Sequence, residues 1–397
     1  MTETRGGTDT VVIPTGYDPG SYSAVRSLAR RGVRTIVASH YDDVPAAASR
    51  YCDEAVDVPD PDDDLVAYRD ALLSLARRPS VRTILPLRPF DPYVFARDAA
   101  SFDRHVSLVT PPADTLDTVF DRVQLFEAAA DAGVPIPETR RLADGADWPT
   151  PRIVKSRYNL LTSTYCPERA PEDAETVKSV EHVPSSETID VEAVRDRMGH
   201  DPIVQEFVAS SGQYVFGALY DHGEPLATFQ HRQLRGDSYT GGGGVYRESI
   251  DDPELEAVGR ALLDHLDWHG LACIEYMKDE TTGEYKLAEI NPRLWQSLPC
   301  AVRAGADFPW YYWQAATGRA DDIDPEYQVG VRTHLLHGEL GYLQSIRADG
   351  SPFYETPSLS RATVDVARSC LTDPHFDTLR LDDPRPFLRG VRHVISK

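Results

Sequence analysis

Through the first 110 residues, short runs of β-branched and aliphatic side chains alternate with helical periodicities. Strand signals stand over 10–15, 34–40, 81–87 and 105–110. Between them the pattern predicts helices over 21–31, closed by Gly32, over 64–78, closed by Pro79, and over 92–102. Alternation of this spacing predicts a parallel sheet covered by helices, and ligands of such sheets sit at the carboxyl ends of the strands. The loop over 15–21 follows the first strand and opens a helix. It reads as a plain βα turn or as a holder of an anionic group. It is not G-x-G-x-x-G, and no P-loop pattern occurs in the chain.

A helix predicted over 113–132 ends at Gly133, and Val134-Pro135-Ile136-Pro137 forms a proline-stiffened extended exit. From about residue 151 the pattern changes to antiparallel sheet. Strand signals cover 151–156, 203–208, 214–220 and 226–231, with hairpin chemistry at Asp221-His222-Gly223. A helix over 253–268 precedes strands over 271–278 and 285–290. The polar stretch 159–187 reads as a mobile loop. The aromatic run 310–313 reads as helix packing or as a substrate platform. Beyond 330, helix and turn signals mix with prolines, and no internal repeat is visible. The fold class is α/β, turning to α+β in its later part.

Composition narrows the partners. The 397-residue chain carries 63 Asp and Glu against 41 Lys and Arg, a net charge of −22. So acidic a surface repels phosphate backbones and anionic lipid, which argues against nucleic-acid and membrane-surface binding. No apolar run approaches the roughly 18 residues of a spanning helix. Residues 1–9 lack the apolar core of a secretory signal. The five cysteines are far apart and show no C-x-x-C spacing, which disfavours a disulfide framework or a zinc knuckle. A cytoplasmic enzyme is expected. Only five of the cations are lysines: Lys155, Lys178, Lys278, Lys286 and Lys397. A halophilic cytoplasm and a GC-rich genome would each produce this bias. Under either, a lysine at a special position is the more significant.

The chemistry concentrates in two neighbouring strand signals, Ala272-Cys273-Ile274-Glu275-Tyr276-Met277 and Leu287-Ala288-Glu289-Ile290-Asn291-Pro292-Arg293. Side chains alternate along a strand, so Glu289 and Asn291 share a face. A turn centred on Thr282 sets Glu275 opposite Glu289 on that face. Two carboxylates and an amide oxygen converging there would repel without a cation, and hard oxygen donors suit Mg²⁺. A solvated strand face is the alternative, although the flanking positions are apolar. Lys155 ends the strand Arg152-Ile153-Val154-Lys155. It reads as a surface ion pair or as a phosphate contact, where a compact ammonium differs from arginine. Ile203-Val204-Gln205-Glu206-Phe207-Val208 reads as a strand entering an irregular link whose backbone can meet a purine edge.

In this order the pieces resemble the ATP-grasp superfamily, most closely its carboxylate–amine ligase-like members, over roughly residues 11–308. The resemblance implies an N-terminal parallel-sheet pre-ATP-grasp domain (1–112), a small lobe with lid (113–208), a large lobe with the metal site (209–330) and a C-terminal extension (331–397). It implies that Lys155 contacts the nucleotide phosphates and that Gln205, Glu206, Phe207 and Val208 form the adenine hinge. Gln213 stands where the family often has an acidic ribose contact. Glu275, Glu289 and Asn291 would coordinate Mg²⁺, with Mn²⁺ as an alternative, and Arg293 would neutralise the transferred phosphate or an acyl phosphate.

The sequence departs from the family's pattern twice. Arg122, beside Asp121, occupies the place of a second nucleotide-binding lysine, keeping the charge but not the shape. The lid after Lys155 contains no glycine, and Thr162, Ser163 and Thr164 offer hydroxyls in place of backbone donors. The run Gly241-Gly242-Gly243-Gly244 reads as a flexible loop or, in the family context, as backbone that approaches substrate. There Gly242 and Gly243, with Arg232 and Arg293, would face an anionic substrate group.

The implied activity is an ATP- and Mg²⁺-dependent, ADP-forming ligase joining a small-molecule carboxylate to an amine. Small-molecule phosphorylation, carboxylation resembling biotin carboxylase, and nucleotide binding without catalysis are the alternatives. Substrate identity would reside in the N-terminal loops such as Arg88-Pro89-Phe90-Asp91. The oligomeric state is unreadable.

Overall fold

The computed structural model describes residues 9–145, 149–177 and 180–396, and the side chains of these up to residue 392. The N-terminal segment 1–8, Lys178 and Lys397 lie outside the described residues. Among the described residues no helix is long and apolar enough to cross a membrane.

The chain opens with β1 (Thr10–Pro14), α1 (Pro19–Arg30), β2 (Arg34–Ser39), β3 (Glu54–Asp57), α2 (Leu65–Ala76), β4 (Val81–Ile84), α3 (Phe90–Arg97) and α4 (Ala99–Phe102). Their strands form a parallel sheet in the order β3-β2-β1-β4. The predicted strand over 105–110 does not form. Ser107 N–H donates to the Arg82 carbonyl, but the next inward amide, that of Val109, is taken by the Tyr312 hydroxyl. The remaining place goes to β3, a half-exposed edge strand too short and too charged to stand out from its loop. The side chains of Asp18 and Asp64 cap α1 and α2, accepting from the backbone N–H of Ser21 and Ala67.

The next segment holds α5 (Ala113–Phe120), α6 (Arg122–Asp131), β5 (Thr139–Arg141), β6 (Arg152–Lys155), β7 (Val180–Val183), α7 (Val191–Met198) and β8 (Ile203–Glu206). Where one helix is expected over 113–132, the chain breaks at Asp121, whose backbone is extended and whose carboxylate caps α6 through Val123 N–H. The strands make a small antiparallel sheet, β5-β8-β6-β7.

The last part contains β9 (Ser210–Asp221), β10 (Glu224–Ser238), β11 (Gly241–Ile250), α8 (Pro253–His265), β12 (Gly270–Asp279), β13 (Tyr285–Asn291), α9 (Leu298–Ala304) and α10 (Phe308–Ala316). After these come β14 (Arg332–His334), α11 (Leu336–Ala348), α12 (Leu359–Thr372) and α13 (Arg385–Ser396). A six-stranded sheet runs β13-β12-β9-β10-β11-β14, so its last strand comes from beyond residue 330. The β9–β10 hairpin turns at His222 and Gly223, both at positive φ, as the Asp-His-Gly sequence predicts. Gly241–Gly244 is not a loop: it is the start of β11, paired with β10.

The two faces of the large sheet serve different neighbours. Phe216, Ile274 and Tyr276 point into a core shared with α8, α2 and α6. Val215, Leu219, Leu271 and Cys273 point the other way, against α9, α10 and the parallel sheet. Tyr311, Tyr312 and Trp313 of α10 are buried there, so the aromatic run packs rather than forming a platform.

The segment expected to be mobile is anchored. Leu160, Leu161, Cys166 and Ala174 are buried, and Leu161 and Glu175 exchange backbone hydrogen bonds of 2.8 and 3.0 Å. Glu172 carbonyl accepts from Leu65 N–H at the start of α2, tying this strap to the N-terminal sheet. Polarity hid the anchors, because the two leucines stand adjacent rather than in a periodic pattern. Leu161→Ala is expected to destabilise the protein by about 2–4 kcal/mol. It should also accelerate tryptic cleavage at Arg169; denaturant titration and limited proteolysis check both effects.

Candidate active site

The site lies where the helical cover of the large sheet ends. Along β12 the same face carries Leu271 and Cys273 under the helices and then Glu275 and Met277, which line a cavity of about 420 Å³. Opposite it stands the small sheet, whose Ile153, Lys155 and Gln205 face the cavity while Val154 and Val204 turn into a separate small core. The cavity is therefore bounded by two sheets.

The β12–β13 register pairs Glu275 with Glu289 and Cys273 with Asn291, as the hairpin centred on Thr282 predicts. Asn291 Nδ2 donates to Glu289 Oε1 at 2.8 Å, and Arg293 Nη2 donates to Asn291 Oδ1 at 3.1 Å. Arg293 is held by its neighbours. Leu294 N–H bonds the Pro86 carbonyl, and the Trp295 ring lies over Gly217, where a Cβ would come within 2.6 Å of the indole.

Three cations surround the carboxylates. Arg122, first residue of α6, donates to the Ser156 carbonyl at 2.9 Å and to Glu289 Oε2 at 3.1 Å, spanning the two walls. Its place follows from the break at Asp121, which itself pairs with Arg157. Lys155 Nζ reaches the Ala288 carbonyl only at 3.4 Å. Desolvation, then the Arg122 charge, lowers the Lys155 pKa to about 7 against the pull of Glu289 and Glu275. Glu275 moves the other way: desolvation and then Glu289 raise it to about 8, against Arg293, Lys155 and Arg122. For Glu289 desolvation is outweighed by Arg122, Asn291 and Lys155, and its pKa falls. Glu289 exposes 29% of its side chain, but to the cavity, where it is still desolvated. Glu275 thus holds the proton of the pair and Glu289 the charge.

Of the other residues singled out in the sequence, Gln213, Gly242 and Gly243 line the cavity. At Gly243 a Cβ would stand 2.6 Å from Gln296 Oε1. Gln205 donates to Thr139 Oγ1 at 2.7 Å, leaving its buried Oε1 without a partner. Glu206, Phe207 and Val208 are not part of the cavity lining. Glu206 binds Lys286 at 2.5 Å, Phe207 packs on Phe353 with centroids 4.2 Å apart, and Val208 is buried. Arg232 is likewise elsewhere, paired with Glu248 at 2.6 Å.

Thr162 is buried and Thr164 bonds Tyr93; the lid segment instead contributes Ser156, Asn159 and Leu160. Asn159 donates to the Ile290 carbonyl at 3.3 Å and keeps a buried, unpartnered Oδ1. No sequence pattern marked Asn159, whereas Met277 was legible as the residue two past Glu275. From the N-terminal part come Pro89 and Pro92. Their loop is fixed by buried Asp91, which accepts from Leu87 and Arg88 N–H and from the Tyr68 hydroxyl. The loop over 15–21 is a capped βα turn, with Asp18 on its helix start.

No protein-family model matches the sequence, and no curated protein matches it. Solved structures do match. A carboxyaminoimidazole ribonucleotide synthase from Aspergillus clavatus, complexed with ATP, aligns at TM-score 0.60 and 15% identity, covering 82% of this chain and 81% of that one. An L-amino acid ligase from Bacillus licheniformis aligns at 0.57 and 14%, covering 81% and 77%. The biotin carboxylase domain of the Hydrogenobacter thermophilus 2-oxoglutarate carboxylase, in complex with MgADP and bicarbonate, aligns at 0.57 and 13%, covering 81% and 72%. The chain has the ATP-grasp fold of these enzymes.

Burial of the carboxyl pair predicts a pH-dependent stability. Because the Glu275 pKa is raised from an ordinary 4.5 to about 8, its contribution is fully present below 4.5 and lost as pH rises towards 8. Between pH 5 and 7, below the range where Lys155 sheds its proton, the Glu275 contribution to the stability of the ligand-free protein is expected to fall by up to about 1.4 kcal/mol per pH unit. Glu275→Gln should flatten that slope in denaturation curves recorded across the range.

Proposed function

We propose that the protein is an ATP- and Mg²⁺-dependent ligase that joins a carboxylate to an amine and forms ADP and phosphate. The observation that carries this reading is the Glu275–Glu289 pair, opposed in register on one strand face with Asn291, Lys155, Arg122 and Arg293 around it. The aligned enzymes include an L-amino acid ligase and nucleotide complexes of carboxylating enzymes, which supports the same class of chemistry.

The donors fit a hard divalent cation: two carboxylates and an amide oxygen, one carboxyl carrying a proton that a cation would displace. Glu275, Glu289 and Asn291 would hold it, and it would supply charge neutralisation on the nucleotide phosphates. Lys155 binds phosphate oxygens from the opposite wall as a compact cation. Gln205, which lines the cavity, meets the adenine edge, and Gln213 meets the ribose. The substrate carboxylate attacks the γ-phosphorus, ADP leaves, and the amine then displaces phosphate from the acyl phosphate. Arg293, fixed by Asn291 and the Leu294 carbonyl, stabilises the charge on the transferred group.

Two observations favour a second reading, a nucleotide-binding protein without turnover. Arg122 closes on Glu289, and the glycine-free strap is packed down rather than free to close. Incubation with ATP, Mg²⁺ and a deproteinised metabolite extract separates the two. ADP formed only with extract supports the ligase, AMP overturns the acyl-phosphate route, and Mg²⁺-dependent ATP binding without product favours the second reading. Glu289→Gln is expected to lower Mg²⁺-dependent turnover by about two orders of magnitude. Lys155→Ala is expected to weaken ATP binding about tenfold, read by calorimetry.

A further inference from the structure

Away from the two-sheet site, a second cavity of about 470 Å³ opens between α1, α9 and the segment over 377–380. Its wall is built from arginine in a chain of net charge −22: Arg26, Arg30, Arg31, Arg303 and Arg380. On α1 the spacing of Tyr22, Arg26 and Arg30 puts all three on one helix face.

The carboxylates at this cavity are already engaged. Asp307 accepts from Arg31 at 2.8 Å and from the Ser27 hydroxyl, which lies 2.7 and 2.8 Å from its two oxygens. Asp377, fully buried, pairs with Arg247 at 2.5 Å, and Asp382 takes Arg26 Nη2 at 2.7 Å. Among the described residues no carboxylate forms an ion pair with Arg30, Arg303 or Arg380. Arg26 Nη1, Arg303 Nε, Arg380 Nε and the Tyr22 hydroxyl are buried and have no hydrogen-bond partner. Arg26 is already paired with Asp382, and Asp377 Oδ1 is also free and can offset either Arg303 or Arg380, which leaves at least one cation uncompensated. Burial and then the Arg380 charge lower the pKa of Arg303; burial and then Arg26 lower that of Arg380.

Buried guanidinium donors without acceptors cost stability unless an anion meets them. Planar guanidinium forks match the oxygens of a phosphate group, and the volume suits a small organic ligand. We propose that this cavity is a second anion-binding site, separate from the two-sheet cavity, that takes a small molecule through its phosphate or pyrophosphate group. Arg303, Arg380 and Arg26 bind the phosphate oxygens, and the Tyr22 hydroxyl donates to the same group. The assignment is independent of the ligase reading, because no residue is shared between the two cavities.

The test is calorimetric and thermal titration of the full chain with inorganic phosphate and with pyrophosphate, at constant ionic strength set by sodium chloride. Arg303→Gln and Arg380→Gln are measured separately, so that one misfolded variant does not decide the outcome. The expected result is pyrophosphate binding that each variant weakens about tenfold or more, the loss of one charge-assisted contact. Each variant is also expected to melt higher than the parent without phosphate, since a half-buried cation without an ion-pair partner is gone. Binding equal in the parent and both arginine variants, or no binding at all, would overturn the proposal.

Discussion

Two carboxylates held opposite each other on a desolvated sheet face cannot both carry full charge without cations nearby. Around Glu275 and Glu289 the protein answers this constraint three times, with Arg122, Lys155 and Arg293, each delivered by a different element. Arg122 comes from the helix start made by the break at Asp121, Lys155 from the end of β6, and Arg293 from the turn after β13. The arrangement leaves one proton on the pair and one exchangeable charge. Under the proposed function, that is the state from which a divalent cation and a phosphate chain would be accepted with little rearrangement of protein charge.

The architecture exists to bring those elements together. One face of the large sheet is sealed by helices as far as Cys273 and then left open from Glu275 onwards, so the sheet passes from core to cavity along a single strand. The small sheet closes the cavity from above with Ile153, Lys155 and Gln205. The strap over 160–177 ties that sheet to the N-terminal one through buried leucines and the Glu172–Leu65 bond. Proline residues of the N-terminal part reach the same cavity, on a loop that buried Asp91 holds in place. All three sheets therefore share in one site.

The arginine-walled cavity follows the opposite logic. There the chain accumulates cations with too few local carboxylates, although acidic residues are abundant everywhere else. Buried guanidinium nitrogens without acceptors carry a cost, and under the proposed second site an anion from outside would relieve it.

Periodicity by itself determined many of the elements and the pairing of the site's strands. Alternation along 271–278 and 285–290 carried the Glu275–Glu289 register, because a period of two leaves no freedom in which side chains share a face. It also carried α1, α2 and the Asp-His-Gly hairpin, whose causes are local. Tertiary structure decided the rest. The break at Asp121 depends on Arg157 and Val123 meeting its carboxylate, so a continuous helical pattern became two helices. Gly241–Gly244 became a strand because β10 extends to Ser238 and supplies partners, and Glu206 and Arg232 were drawn aside by Lys286 and Glu248. Ion pairs between residues distant in the chain leave no periodic trace, since either partner alone reads as an ordinary surface charge. A sequence records which face a side chain takes, and only the packed molecule decides which charge it meets there.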